Sequence, residues 1–144
     1  LVYSVIALLI RYGNKQVVTG QDTVPVQTAP LERLIVGTGR NNITIATTEI
    51  ILISAAGDYI AIQTANKKYL HTETLKSIQA KLDPQRFLRI HRSTIVNMDK
   101  VISYRSRLNG DYDILLNNQQ ETRLSRNYAP AFKAGMEKRP QLSR

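Results

Sequence analysis

Short apolar runs separated by turn-forming residues fill the chain from residue 31 to residue 63. Four runs are rich in branched residues and lie at residues 34–36, 43–45, 50–53 and 59–63. The segments GTGRNN, GD and ANKK, which lie between or after these runs, carry the glycine, asparagine and aspartate that tight turns prefer. This alternation predicts short β-strands joined by turns.

A different spacing, typical of a helix, occurs in TETLKSIQAKLDP at residues 72–84. Its apolar residues recur three and four positions apart, at Leu75, Ile78 and Leu82. Thr72 or Thr74 can cap the start, since a hydroxyl oxygen accepts a hydrogen bond from a free backbone N–H. Pro84 ends the helix because proline disfavours helical geometry in the residue before it. We predict one short helix here.

Strand-like runs return after residue 86. They lie at residues 87–90, 100–105, 111–117 and 121–125, and LNGD supplies the turn between two of them. The chain that follows predicts a short helix or an irregular segment, and residues 135–144 predict a flexible tail. The segment FLRIHRSTIVN, at residues 87–97, is unusual because Arg89, His91, Arg92 and Ser93 interrupt an otherwise apolar run.

The chain opens with LVYSVIALLI, a nearly continuous apolar stretch, followed by polar residues with glycine and proline as far as residue 30. This stretch is too short to cross a bilayer as a helix, which takes about 20 residues. Two alternatives remain open for it: the inner end of a membrane helix, or a buried strand or helix that packs on a partner. Residues 1–31 are therefore predicted to be an apolar segment plus a linker.

Composition argues against several kinds of site. The chain has no cysteine and only two histidines, which lie far apart, so it offers neither a disulfide nor a cluster of zinc ligands. The glycine-rich GTGRNN lacks the Gly-Lys-Ser/Thr ending of a nucleotide-binding loop. We expect no metal and no cofactor.

Positive charge is concentrated in the second half of the chain. The net charge is +9, yet residues 1–66 hold four basic and four acidic residues, whereas residues 67–144 hold sixteen and seven. Such a one-sided surplus attracts polyanions, chiefly nucleic acid, because basic side chains that neutralise phosphates release condensed counterions. The alternative is a basic surface that has no polyanion partner.

Candidates for catalysis are weak. His91, Ser93 and Asp99 supply the residue types of a nucleophilic triad, but the sequence has no strand-turn-helix elbow for the nucleophile. Asp111 and Asp113 alternate onto one strand face, which fits solvent-facing residues better than an acid-base pair. We predict that the protein is not an enzyme.

Arg92 is the strongest binding candidate in the interrupted run. If Phe87 and Ile90 point into the core, Arg92 emerges near a strand end, where a rigid scaffold can aim it at a ligand. Its planar guanidinium can form two hydrogen bonds with a guanine edge or a phosphate. Asn97 could read adenine or support a loop, and SRNY at residues 125–128 supplies a second arginine. For either arginine the alternative is a surface ion pair.

Four segments together resemble the LytTR family of bacterial DNA-binding domains. They are AAGDYIAIQT, YLHTETLKSIQAKLDPQRFLRIHRSTIVNMDKVISY, NGDYDILL and LSRNYAPAFK, in this order within residues 33–134. The resemblance implies a mainly β fold, an elongated stack of small, mostly antiparallel sheets with one short helix. It also implies a DNA-binding domain at residues 32–134 whose loops and strand ends enter successive major grooves at repeated promoter half-sites, usually as pairs of molecules.

The resemblance also implies roles for individual residues. The groove-facing positions are Gly57, Asp58, Tyr59, His91, Arg92, Ser93, Ser125, Arg126 and Asn127, and the phosphate contacts are Lys67, Lys68, Arg89 and Arg105. Arg92 and Arg126 are expected to read base edges. His91 either contacts DNA or supports the strand end, and Asp58 either accepts from a cytosine amine or positions its loop. Ile95 and Val96 are expected in the core, and Asn97 in a turn.

Members of this family commonly join the domain to a phosphorylatable receiver, as in response regulators of two-component systems, and residues 1–31 are too short to form one. We therefore expect a cytoplasmic transcription factor, either stand-alone or attached to the membrane through an N-terminal region. The competing hypothesis is a protein-interaction module that pairs exposed strand edges with a partner and uses its basic charge for solubility.

Overall fold

Ten strands and two α-helices make up the part of the chain that the computed structural model describes, residues 31–139. The strands are β1 (Arg33–Gly37), β2 (Asn42–Ala46), β3 (Ile50–Ala56), β4 (Tyr59–Thr64), β5 (Lys68–His71), β6 (Phe87–His91), β7 (Thr94–Asn97), β8 (Val101–Ser106), β9 (Tyr112–Leu116) and β10 (Glu121–Leu124). The helices are α1 (Leu75–Lys81) and α2 (Ala129–Glu137). The apolar segment and most of the linker predicted at residues 1–31 lie outside the described residues.

The strands form three antiparallel sheets. The largest has five strands in the order β5-β4-β3-β7-β6, the second has three in the order β10-β9-β8, and β1 pairs with β2. The predicted mainly β architecture of small antiparallel sheets is therefore confirmed. Helix α2 adds a second helix to the one that the apolar spacing predicts. Neither helix in the described part of the chain is long and apolar enough to cross a membrane.

Strand β3 lies between two hydrophobic cores. Ile50 and Ile53 are buried in one core, whereas Ile51 and Leu52 are buried in the other. A register shift between Ile50 and Leu52 changes the side-chain phase along the strand. The first core also contains residues of β1, β2 and α1, and the second contains residues of β9, β10 and α2. Burial on both faces explains why β3 begins with four consecutive apolar residues instead of alternating with polar ones.

The interrupted run FLRIHRSTIVN is a hairpin and not a single strand. Its two halves, β6 and β7, pair antiparallel from Phe87 opposite Asn97 to His91 opposite Thr94. Arg92 and Ser93 form the turn between them. As predicted, Phe87 and Ile90 are buried, and Ile95 and Val96 lie in the core. The cationic residues interrupt the apolar pattern because the chain reverses direction there.

The ends of both helices follow from local sequence. Thr74, one of the two predicted caps, caps the start of α1. Its hydroxyl oxygen accepts a hydrogen bond from the Ser77 N–H at 3.0 Å. Pro130 lies in the first turn of α2, where no intrahelical N–H bond is lost. Helix α2 continues through Glu137, so it occupies the first three residues of the segment predicted to be a flexible tail.

Asn97 is a buried structural residue at the end of β7. Its side chain is fully buried, and its amide nitrogen donates to the Ile50 carbonyl oxygen at 2.7 Å. Its amide oxygen accepts a hydrogen bond from the Asp99 N–H at 3.0 Å. These bonds join β7 to β3 and cap the short 3-10 helix Met98–Lys100. The sequence predicts Asn97 in a turn; in the structure it ends β7 and caps the 3-10 helix that follows, and its side chain is too buried to read adenine.

Candidate nucleic-acid interface

Two of the three predicted groove-facing regions lie on adjacent hairpin turns. Gly57 and Asp58 connect β3 to β4, and Arg92 and Ser93 connect β6 to β7. Strands β3 and β7 are neighbours in the sheet, and the Ala55 N–H donates to the Ser93 carbonyl oxygen at 2.9 Å. The two turns therefore leave the same end of the five-stranded sheet.

The β3–β4 turn depends on glycine at its first position. Ala56 pairs directly with Tyr59, so Gly57 and Asp58 alone reverse the chain. Gly57 has a φ of +68°, a conformation that a side chain at this position would strain. Asp58 and Tyr59 are exposed, with Tyr59 at 40%. The tight turn thus presents an acidic and an aromatic side chain to solvent at a fixed position.

The third region, Ser125 to Asn127, lies beside the β6–β7 hairpin. It follows β10 directly, and the Ser125 N–H donates to the Ile90 carbonyl oxygen at 2.9 Å. Ser125 also organises its own turn, because its carbonyl oxygen accepts from the Tyr128 N–H at 2.9 Å. Arg126 and Asn127 are exposed. We call the three turns, Gly57–Asp58, Arg92–Ser93 and Ser125–Asn127, the three-turn cluster.

The β6–β7 turn is held by hydrogen bonds from Arg89. The Arg89 guanidinium donates to the carbonyl oxygens of His91 at 3.1 Å and of Arg92 at 2.5 Å. It also donates to the side-chain oxygen of Gln79, on α1, at 3.1 Å. Arg92 itself is exposed and has no ion pair or side-chain hydrogen bond within residues 31–139. Arg89 is therefore engaged inside the protein, whereas the Arg92 side chain faces solvent.

His91 and Ser93 form a second set of contacts in this turn. The His91 Nδ1 atom lies 3.0 Å from the Ser93 hydroxyl oxygen, and the Ser93 N–H donates to the same nitrogen at 3.3 Å. Both side chains are half-buried. Of the two alternatives for His91, this geometry fits support of the strand end.

Arg126 rests on the turn between β8 and β9. Its backbone N–H donates to the Asp111 carboxylate at 3.0 Å, and its guanidinium donates to the Asn109 carbonyl oxygen at 3.3 Å. Gly110, between these residues, has a φ of +92°, and a Cβ there would lie 3.6 Å from the Arg126 side chain. Asp111 is thus a support for Arg126, a role that strand alternation alone did not reveal.

Arg105 lies on β8, close to this turn. Its side chain is 72% exposed and pairs with the Asp113 carboxylate at 3.4 Å. The Arg107 guanidinium also bonds Asp113, at 2.9 Å, and lowers the pKa of that carboxyl below its usual value. Arg105 could exchange its exposed ion pair for a phosphate at little cost, because such pairs contribute little to stability.

Lys67 and Lys68 lie at the other end of the five-stranded sheet. Lys68 pairs with Gln63 and Lys67 bonds Thr64, whereas the β3–β4 turn adjoins Tyr59 at the start of β4. Strand β4 separates the two ends by about 17 Å, at roughly 3.3 Å per residue. The structure therefore does not bring these two lysines into the three-turn cluster.

The considered catalytic triad does not assemble. His91 and Ser93 are in contact, but Asp99 lies beyond the far end of β7 and pairs with Arg86 and Arg139. Asp99 also follows Asn97, which is opposite Phe87 at the start of β6. No carboxylate in the described residues bonds the His91 ring.

A small mainly β domain that exposes arginines on adjacent turns has the features of a loop-based nucleic-acid-binding domain. Comparison with protein families agrees: residues 40–137 match the LytTr DNA-binding domain. This match covers more than half of the chain, and the protein belongs to that family.

Similar curated proteins include proteins from two Staphylococcus species. The chain is 34% identical to the sensory transduction protein LytR of Staphylococcus epidermidis over 60% of this chain and 34% of that protein. It is 33% identical to the transcriptional regulatory protein LytR of Staphylococcus aureus over 60% of this chain and 35% of that protein. The chain therefore spans about a third of the length of these relatives.

A solved structure has the same fold. It is described as the LytTr DNA-binding domain of a methyl-accepting/DNA response regulator from Bacillus cereus, and it matches with a TM-score of 0.67 at 18% sequence identity. The match covers 74% of this chain and 97% of that domain. At this identity the likeness establishes the fold.

Proposed function

We propose that this chain is the DNA-binding part of a bacterial transcriptional regulator and that the three-turn cluster enters the major groove. The observation that carries the proposal is the convergence of three turns, distant in sequence, at one end of the domain with Arg92 and Arg126 exposed. A major groove about 12 Å wide admits such turns.

In this proposal Arg92 and Arg126 read base edges. An arginine guanidinium donates two parallel hydrogen bonds to the O6 and N7 atoms of guanine, a pattern that other base pairs do not offer at that position. Both arginines project from turns fixed by hydrogen bonds, from Arg89 of β6 to the Arg92 carbonyl oxygen and from the Arg126 N–H to Asp111 of the β8–β9 turn. Fixed turns favour base discrimination because little side-chain and backbone freedom is lost on binding.

Other residues in and beside the cluster supply supporting contacts. Asn127 and Ser125 bond backbone phosphates or sugars, and Tyr59 packs against the sugar-phosphate backbone. Asp58 accepts a hydrogen bond from a cytosine amine. Arg105 neutralises a phosphate flanking the Arg126 contact. The cluster then spans more than one base step through separate turns.

The relatives' names support a regulatory context. They describe sensory transduction and transcriptional regulatory proteins, and the chain corresponds to about a third of their length. We infer that this domain acts in the cytoplasm as the output part of such a regulator and binds as pairs on repeated promoter half-sites. Repeats spaced by about a helical turn would put two copies on one side of the duplex.

A second candidate function is a protein-interaction module. Strand β8 lies at the edge of the three-stranded sheet and exposes Ile102 at 54% and Tyr104 at 40%. An exposed, partly apolar edge can add a strand from a partner. Measuring affinity at increasing salt concentration distinguishes the two functions. Strand addition depends little on ionic strength, whereas DNA binding weakens steeply as the salt concentration rises.

The test is selection of bound duplexes from a random pool, followed by anisotropy titration of the selected duplex and a shuffled duplex at several salt concentrations. We expect an enriched repeated motif and a steep loss of affinity with salt. Lys67→Ala and Lys68→Ala serve as matched charge controls far from the cluster. The salt slope is the slope of the logarithm of the binding constant plotted against the logarithm of the salt concentration. Each variant would reduce the magnitude of this slope by about 0.9 only if that lysine contacts a phosphate. Equal affinity for both duplexes would contradict the proposal.

A further inference from the structure

Arg89 is the one residue of the predicted phosphate-binding set that the fold half-buries. Its side chain leaves β6 two residues before the strand ends and returns over the β6–β7 turn. All three guanidinium nitrogens donate hydrogen bonds, to His91, Arg92 and Gln79. Three of its five N–H donors are therefore engaged within the protein, so a phosphate would have to use the two remaining donors or displace these partners.

An irregularity in β6 places the turn where Arg89 can hold it. The pairing with β7 shifts between Arg89, which faces Ile95, and His91, which faces Thr94. Ile90 is the extra residue; its side chain is fully buried, and its carbonyl oxygen accepts from Ser125. Bulges of this kind bend a strand and re-aim the residues beyond them. Here the first turn residue after the bulged strand is Arg92.

We infer that Arg89 is a positioning residue for Arg92, and that it fixes the orientation from which Arg92 reads a base pair without itself binding a phosphate. The inference rests on the proposed DNA-binding function. The carbonyl group and the side chain of Arg92 are attached to the same Cα atom. A hydrogen bond of 2.5 Å to the carbonyl oxygen therefore restrains the backbone of Arg92 and, with it, the direction in which the side chain leaves the turn. Through Gln79, the same guanidinium anchors the turn to α1.

This role requires arginine rather than any cation. The planar guanidinium presents donors in fixed directions, and here they reach two carbonyl oxygens and one amide oxygen. A lysine ammonium carries the same charge on a flexible chain and cannot hold all three acceptors in this arrangement. Arg89→Lys therefore separates the two roles: it keeps a phosphate-binding charge but removes the planar support.

The experiment measures a discrimination ratio, the affinity for the selected duplex divided by that for a duplex altered at the base pair that Arg92 reads. We expect Arg89→Lys to reduce this ratio about tenfold, within the range for one bidentate base contact, and to leave the salt slope unchanged. Arg33→Lys is the matched control at an exposed position of β1, outside the proposed contacts, and should leave the ratio unchanged. Urea unfolding of each variant establishes that the binding samples are folded.

A double-mutant cycle identifies the residue through which Arg89 acts. In an Arg92→Ala background, Arg89→Lys should cause no further loss of discrimination, because the oriented group is already gone. Gln79→Ala, which removes only the α1 anchor, should reduce the ratio in the same direction by a smaller factor. This milder variant keeps the test decisive if Arg89→Lys is poorly folded.

Three results would overturn the inference. Full discrimination by Arg89→Lys, together with a salt slope reduced by about 0.9 in Arg89→Ala, would make Arg89 a phosphate contact. An equal further loss in the Arg92→Ala background would mean that Arg89 acts on the whole domain. If the wild-type protein itself does not discriminate between duplexes, the proposed function fails, and the positioning role fails with it.

Discussion

The two exposed arginines of the three-turn cluster differ in the residues that support them. Arg92 depends on Arg89 of its own hairpin, whereas Arg126 depends on Asp111, from a turn 15 residues earlier in sequence. Arg92 and Arg126 could be identified from sequence because they stand out from apolar runs and from the family motif. Arg89 and Asp111 could not be assigned their roles, because side-chain alternation does not show which backbone groups a side chain will meet.

Asp111 leads to a prediction of opposite effects on affinity and specificity. Asp111→Ala removes a negative charge close to the proposed DNA contact, so nonspecific affinity should rise. The same change removes the acceptor of the Arg126 N–H, so discrimination at the base pair read by Arg126 should fall about tenfold. Anisotropy titrations with selected and shuffled duplexes measure both effects. A parallel rise in both affinities would show that Asp111 acts through charge alone.

Asn97 should matter for stability and not for DNA contact. Replacing it with alanine removes the donor to the buried Ile50 carbonyl oxygen and the acceptor for the Asp99 N–H. We expect a loss of about 2 kcal/mol in unfolding free energy, since a buried polar group is left without a partner. Urea denaturation measures this loss, and Asn117→Ala, at an exposed position, is the control. An unchanged midpoint would contradict the role in joining β7 to β3.

At the scale of elements, sequence patterns predicted the first four strands and α1 but not two of the strands that complete the large sheet. The branched runs that became β1 to β4 were predicted, as was α1. Strand β5 was missed because its sequence, KYLH, is short and does not alternate between apolar and polar residues. None of its four residues is buried in the structure. Strand β7 was merged with β6 because the turn residues Arg92 and Ser93 are not typical hairpin breakers. Strand β7 is completed by pairing with β3, which is distant in sequence, and β5 by pairing with the preceding strand, β4, and the local pattern encodes neither pairing.

The junction of β5 and α1 carries a predicted pH dependence. The Glu73 carboxylate accepts bonds from Ser77 at 2.6 Å and His71 at 2.8 Å and pairs with Lys81 at 2.9 Å. Burial raises the pKa of Glu73, but these hydrogen bonds together outweigh burial and lower the pKa below its ordinary 4.5. A lowered folded-state pKa stabilises the fold above the unfolded value, and this stability is lost as pH falls through the folded value.

Glu73→Gln tests this junction. The variant should be less stable than wild type at neutral pH, by about 1 kcal/mol for the lost charge-assisted bonds. Its unfolding free energy should also fall less steeply between about pH 5 and about pH 3, because the titrating carboxylate is absent. Urea unfolding of both proteins across this range measures the difference. Parallel pH profiles would mean that Glu73 does not contribute through its ionisation.

At the scale of the whole molecule, the two cores, three sheets and both helices all lie within residues 31–139. A protein lacking residues 1–30 should therefore unfold cooperatively and bind the selected duplex with an affinity within about threefold of the full chain. Denaturation and anisotropy titration measure the two properties. Loss of a cooperative transition in the shortened protein would contradict the assignment of these residues to a linker and an N-terminal segment.

The central claim is that Arg92 and Arg126 each read a base pair from the three-turn cluster. The most direct test changes every base pair of the selected duplex in turn and measures affinity for wild type, Arg92→Ala and Arg126→Ala. We predict that each variant loses about 1 to 3 kcal/mol of discrimination at its own base pair and retains discrimination elsewhere. Uniform weakening at every position in both variants would show that these arginines contact phosphates only, and direct base recognition by the cluster would be wrong.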